Sequence, residues 1–272
     1  MKQLVATLSA ALSRFLSSVA FMLVALQAAA AGETCESRST AARVAVLELY
    51  TSEGCNSCPP ADRWVSALPA RGFTPDRVIP LVFHVDYWDQ LGWPDRMAKA
   101  QFGARQRMQA QRNHASVVYT PQFLLNGSDF RPSLSDIRLD ERIDEHNRLP
   151  AAAALILQQR PLSSGMQVEL DVRLARAALG NATQTYIAIT ENRLQSAIKT
   201  GENQGRLLHH DFVVREFAGP LTTDADGRLH WKSAMALSPD WKRPDLSLAA
   251  FVQDARSGDI LQALHAPLCA PH

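Results

Sequence analysis

The chain lacks a charge of one sign. Its 272 residues carry 28 lysines and arginines against 27 acids, so no basic excess points to nucleic acid and no acidic tail points to disorder. Repeats and low-complexity tracts are absent beyond the first thirty residues. No apolar run reaches the ~20 residues that span a bilayer. The longest candidate, Phe15 to Leu26, stops at Gln27 and is followed by Ala28 to Ala31. With Lys2 and Arg14 ahead of it, this pattern predicts a secretory signal peptide over 1–31, cleaved after Ala30 or Ala31. A membrane anchor and a buried helix are the alternatives. A periplasmic or secreted protein with no stable membrane span after cleavage is expected, and at 46% hydrophobic content it can bury a substantial core.

Cysteine is scarce too, at four residues, but none is left over. Export makes pairing the default state of these thiols. Cys55 and Cys58 form a C-x-x-C, and Cys35 and Cys269 are expected to join the chain ends as a structural disulfide.

From Arg43 to Leu149 strands and helices alternate. The run 44–50 is β-rich and apolar, as in a strand buried on both faces. A helix follows from Cys58 or Pro59 to Leu68, with prolines tolerable only in its first turn. The next strand is 78–85, where Pro80 suggests an edge or a bulge. A polar helical insertion spans Asp95 to Asn113. The strand Gln122–Leu125 then turns at Asn126-Gly127, and Ser133 with Asp136 opens a helix reaching Leu149. After Pro150 the period changes to strict alternation, clearest from Met166 to Leu174. Further short strands near 184–190, 211–218, 228–237, 246–254 and 260–265 predict a mostly antiparallel β-sandwich over 150–268.

The C-x-x-C leaves a strand and opens a helix, where free N–H groups and the helix dipole favour a thiolate at Cys55. Cys58 lies one turn on and can close a mixed disulfide. An inert small-loop disulfide and half of a metal site are the alternatives. Val118-Tyr119-Thr120-Pro121-Gln122-Phe123-Leu124-Leu125-Asn126-Gly127 resembles the cis-proline segment of the thioredoxin family. That resemblance implies a thioredoxin-like α/β domain over 43–149, with Thr120 and Pro121 facing the cysteines as a platform for substrate backbone. His84, which ends the second strand, and Asp86 share one side of the chain. His84 is expected to stabilise the thiolate or relay a proton and Asp86 to orient it, with Trp88 and Trp93 as walls. A core histidine packed among aromatics is the alternative. His209-His210-Asp211 reads as a polar loop between domains, with a metal cluster as the alternative.

The segments LELYTSEGCNSCPPAD, FHVDYWDQLGW and VYTPQFLLNG resemble a secreted family known as domain of unknown function 1223, from about Val44 to the chain's end. Gly201-Glu202-Asn203 and Val252-Gln253-Asp254 belong to the same likeness. It implies a thioredoxin-like site at Cys55, Cys58 and Pro121 and nothing about substrate. The sequence departs from thioredoxin at Asn56-Ser57 between the cysteines and at Gly54, where tryptophan is usual. Leu49 stands where thioredoxin buries a proton-relaying aspartate, which leaves Glu48, Glu53 or His84 as candidates.

The reading is an exported thiol–disulfide oxidoreductase acting on protein or small-thiol substrates, with no cofactor beyond its own disulfide. A copper-binding protein using Cys55, Cys58 and His84 is one alternative, although no methionine cluster or second cysteine pair supports it. A non-catalytic interaction protein is another. Neither substrate, redox direction nor oligomeric state is legible.

Overall fold

A computed structural model describes residues 34–131 and 137–270. The predicted signal peptide and the Ser133–Asp136 helix start lie outside the described residues. Residues Thr34–Ala270 make one compact unit.

Its centre is an eight-stranded mixed sheet in the order β14-β13-β8-β11-β3-β2-β4-β5. The first-half strands are β2 (Ala45–Thr51), β3 (Val78–His84), β4 (Gln122–Leu125) and β5 (Ser128–Phe130). The others come from the second half: β8 (Thr183–Glu191), β11 (Val213–Leu221), β13 (Leu246–Asp254) and β14 (Ile260–Pro267). A second sheet, ordered β1-β6-β7-β12, is built from β1 (Cys35–Arg38), β6 (Ala153–Leu162), β7 (Gly165–Leu174) and β12 (Arg228–Ala236). A hairpin of β9 (Leu194–Ala197) and β10 (Leu207–His210) stands apart.

This arrangement corrects the expectation of a thioredoxin-like α/β domain followed by a β-sandwich-like domain. Among the described residues fourteen strands outnumber three α-helices, and one sheet draws on both halves of the chain. The join is β11, which runs antiparallel to β8 and parallel to β3 at Val213 and Val82. Pro80 tolerates its place in β3 for the same reason. Along a strand, N–H groups two residues apart point the same way, and the Val82 N–H donates to Phe212 beyond the β11 side. At Pro80 that side carries no ladder bond, so the missing donor costs nothing.

Alternation along the strands distributes the core. Val46 and Tyr50 of β2 share one face with Phe83, Tyr186 and Phe251, packed under Phe102 of helix α2 (Ala100–Arg112). Ala45, Leu47 and Leu49 point the other way. They meet Ala61 and Val65 of helix α1 (Pro59–Ser66) and Leu139 and Ile143 of helix α3 (Ile137–Asn147). That second face continues over β8 and β13, where Ile187, Ile189 and Leu248 pack against Leu157, Val168 and Leu170 of the four-stranded sheet. Burying each such Leu, Ile or Phe contributes about 1.5–3 kcal/mol. Because both covers rest on one sheet, the two halves share a core.

Candidate functional site

β2 and β3 run parallel in register to the pair Thr51–His84, so the chain leaves both strands at one end of the sheet. There β2 passes through Ser52-Glu53-Gly54 into Cys55, and two tight turns (Cys55 N–H to Ser52 O, Cys58 N–H to Cys55 O) lead into α1. Cys55 and Cys58 are disulfide-bonded, and the Ser57 hydroxyl lies 3.2 Å from Cys55 Sγ. The antiparallel pair Tyr50–Gln122 brings the start of β4 to the same end, and the Thr120–Pro121 peptide just before it is cis.

Both cysteines of this disulfide are 0% exposed. The loop joining β9 to β10 crosses their segment. Asn203 Nδ2 donates to the carbonyls of Glu53 (2.8 Å) and Cys55 (2.9 Å), and the Asn56 N–H donates to Glu202 Oε2 (3.0 Å). Arg206 donates to Asn203 Oδ1, and the loop rests on Gly92 and Trp93 through Gly201, whose φ of 77° suits glycine. In this conformation neither sulfur is open to an attacking thiol, and the Asn203 bonds hold in place the segment that carries Cys55. Each Asn203 bond stabilises the closed loop by about 1 kcal/mol. Asn203→Ala should therefore speed reduction of Cys55–Cys58 by a small thiol roughly tenfold or more, since 1.4 kcal/mol is a factor of ten. Timed alkylation with peptide mapping reads this, and an unchanged rate would show that the loop is not the barrier.

Glu53, two residues before Cys55, and Asp62, four after Cys58, belong to a buried group of acids and histidines. His84 Nδ1 donates to Asp95 Oδ2 at 2.6 Å, and the same oxygen accepts the Glu53 N–H at 2.9 Å. Burial would raise the Asp95 carboxyl, but the His84 ring and the N–H groups of Glu53 and Met97 hold it down at about 2. Burial likewise opposes charge on His84, yet Asp95, with Asp62 and Glu53 beyond, keeps the imidazole above its ordinary range. His210 of β10 packs edge-on against His84 with centroids 4.9 Å apart. Its Nε2 lies 3.4 Å from Glu53 Oε1 and its Nδ1 lies 3.7 Å from Asp62 Oδ2. Trp93 Nε1 donates to Glu53 Oε2 at 2.8 Å.

A family profile described as a protein of unknown function (DUF1223) matches residues 46–253. The chain belongs to this family. Two solved structures resemble this DUF1223 chain. One is an Agrobacterium tumefaciens protein determined by X-ray crystallography, 24% identical with a TM-score of 0.59 over 86% of this chain and 98% of that one. The other is HBP35 of Porphyromonas gingivalis, 17% identical with a TM-score of 0.64 over 85% of this chain and 76% of its own. At such identities both report the fold alone. No curated protein matches the chain.

The DUF1223 site differs from the sequence reading in several residues. Asp95, not Asp86, holds His84. Asp86 stands in a 3-10 turn (Asp86–Leu91) facing Gly103 of α2, because that turn carries it away from the end of β3. His210 is a buried strand residue rather than part of an interdomain loop, while His209 is exposed and Asp211 accepts the Arg193 N–H. Glu48 is committed elsewhere, in a buried ion pair with Arg105 on the opposite face of β2. Trp93 serves as a donor to Glu53, and Trp88 packs beside Gly54. Asn203, Asp62, Asp95 and His210 were missed as site residues. Asn203 stands out in the sequence only within the Gly201-Glu202-Asn203 likeness and His210 only within His209-His210-Asp211, while the spacing of Asp62 four residues after Cys58 is a local signal for the third. Among the described residues no group of three or more His, Cys, Asp or Glu side chains is arranged to hold a metal ion. Cys35 and Cys269 are disulfide-bonded, and none of the described helices is long and apolar enough to cross a membrane.

Proposed function

We infer that this DUF1223 protein is an exported thiol–disulfide exchange protein, with Cys55 as the attacking sulfur, Cys58 as the resolving sulfur and protein or small-molecule thiols and disulfides as substrates. Its export rests on the leader pattern of residues 1–31. The observation that carries the exchange reading is the placement of the disulfide. It spans the mouth of α1, between two buried acids on its own segment, Glu53 and Asp62, that both face His210. A bond kept only as a cross-link has no use for acids and histidines held at such a cost in desolvation.

A second reading, an inert cross-link closed to solvent, is favoured by the zero exposure of both cysteines. A trapping experiment separates the two. Cys58→Ser leaves Cys55 able to attack and unable to be released, so incubation with an unfolded disulfide-containing protein should accumulate a covalent adduct at Cys55, and Cys55→Ser should accumulate none. Absence of any adduct, together with a wild-type disulfide that resists millimolar glutathione, would establish the cross-link instead.

A further inference from the structure

The exchange reading leaves one proton unaccounted for, and the identity of its acceptor matters only if that reading holds. In the reduced chain Cys55 thiolate attacks a substrate disulfide, forming a Cys55–substrate bond and expelling the first substrate thiolate. Cys58 must then lose its S–H proton, attack the Cys55 sulfur and expel the second thiolate. The substrate disulfide is reduced to two thiols as Cys55 and Cys58 are oxidised, and the Cys58 proton needs an acceptor in a place closed to water.

The buried groups nearby differ in how far they are already committed. Glu48 is bonded to Arg105 and Tyr50 across the sheet. Asp95 is spent on His84 and two backbone N–H groups. Glu53 accepts the Trp93 indole on Oε2, and its Oε1, without a hydrogen-bond partner, faces His210 Nε2 at 3.4 Å from a position ahead of Cys55 rather than on the helix that carries Cys58. Asp62 is different. It is the acid of α1, one turn beyond Cys58, and its N–H donates to the Cys58 carbonyl at 3.1 Å. Positions four apart share a helix face, so its carboxyl stands on the Cys58 side of α1. The residue is 5% exposed, and its Oδ1 has no hydrogen-bond partner.

We propose that Asp62 is the proton acceptor for Cys58, with His210 of the β9–β10 hairpin, whose Nδ1 lies 3.7 Å from Asp62 Oδ2, as the positioning residue. Burial raises the Asp62 carboxyl above its ordinary range, with His210, His84 and the Thr51 hydroxyl pulling part of the way back and Asp95 pushing up again. That direction narrows the gap to a thiol and makes the carboxylate a better base than an exposed one. One hairpin therefore serves the site twice, bonding the Glu53 and Cys55 carbonyls through Asn203 and facing the acceptor with His210.

The test uses the full chain, reduced and then mixed with an aromatic disulfide, with rapid-quench peptide mapping of the Cys55 adduct and of the Cys55–Cys58 bond from pH 6 to 9. In Asp62→Asn, adduct formation at Cys55 should stay within about twofold of the unmodified chain. Closure by Cys58 should slow by about a hundredfold at pH 7 and rise with hydroxide up to pH 9, the size expected when a general base is lost. Asp62→Glu should recover part of the rate, and His210→Gln should shift the pH profile of closure without changing adduct formation. Closure in Asp62→Asn at the unmodified rate across the pH range overturns the assignment and leaves exchange standing. If Asp62→Asn fails to fold, an unshifted closure profile in His210→Gln overturns it instead. An unmodified chain that forms no adduct removes exchange and this inference together.

Discussion

Replacing Arg105 by methionine should lower the free energy of unfolding by about 3–5 kcal/mol, the usual cost of orphaning one member of a buried ion pair. Arg105 is 3% exposed and Glu48 is 1% exposed, so neither charge has recourse to water. The guanidinium donates to both carboxylate oxygens of Glu48 at 2.8 Å, and the Tyr50 hydroxyl donates to one of them at 2.6 Å. Its carbon lies 4.7 Å from the Tyr186 ring centroid and 5.2 Å from those of Phe217 and Phe251, contacts that attract a desolvated cation. The position matters because Tyr186 and Phe251 belong to β8 and β13 while Glu48 belongs to β2. One side chain on α2 thus ties the two halves of the large sheet. Methionine keeps much of the stem volume and removes the charge, which leaves Glu48 buried without a counter-ion. Denaturant unfolding of Arg105→Met against the unmodified chain measures the loss. Glu48→Gln combined with Arg105→Met should restore a large part of it, since no uncompensated charge then remains. A single-variant loss under about 1 kcal/mol, or a double variant as unstable as the single, would mean that the pair contributes little.

The elements around the cysteines were legible in the sequence because their signals are local. Runs of β-branched and apolar residues mark β2 and β3, Asn126-Gly127 marks the β4–β5 turn, and paired prolines mark the first turn of α1. Strict alternation from Met166 to Leu174 likewise marks β7 almost to the residue. What joined the halves was not legible. The parallel contact of Val213 with Val82 links residues far apart in sequence, and nothing in either run says which strand it will meet. An α/β pattern followed by an antiparallel pattern therefore looked like two domains, when both belong to one β-rich fold. The site failed in the same way. Strand alternation assigned Asp86 to His84, but the chain turns after Val85 and returns with Asp95. His210 and Asn203 enter from a hairpin more than a hundred residues beyond Cys58, so their roles depend on tertiary contacts that no spacing rule encodes.

The two disulfides should differ in what they contribute, and that difference should be measurable as an order of reduction. Cys35 and Cys269 are separated by 234 positions and Cys55 and Cys58 by three. Loop-closure entropy then predicts that losing the long cross-link costs about 5 kcal/mol and losing the short one about 2 kcal/mol. Local structure supports the larger value. β1 is a four-residue edge strand paired only to β6, and the last described residues have no strand of their own beyond Pro267. Gln159 of β6 accepts the Cys269 N–H and donates to the Pro267 carbonyl, so the bond clamps both chain ends over one buried side chain. Cys35→Ser with Cys269→Ser should therefore unfold at markedly lower denaturant while keeping the Cys55–Cys58 bond. Bond stability and reduction potential are the same free energy, with about 30 mV for 1.4 kcal/mol. In a graded redox buffer at equilibrium, Cys55–Cys58 should accordingly open first and Cys35–Cys269 at a potential roughly 60 mV lower. Coincident reduction of the two bonds, or a double-serine variant within about 1 kcal/mol of the unmodified chain, would mean that the terminal cross-link constrains little in the unfolded ensemble.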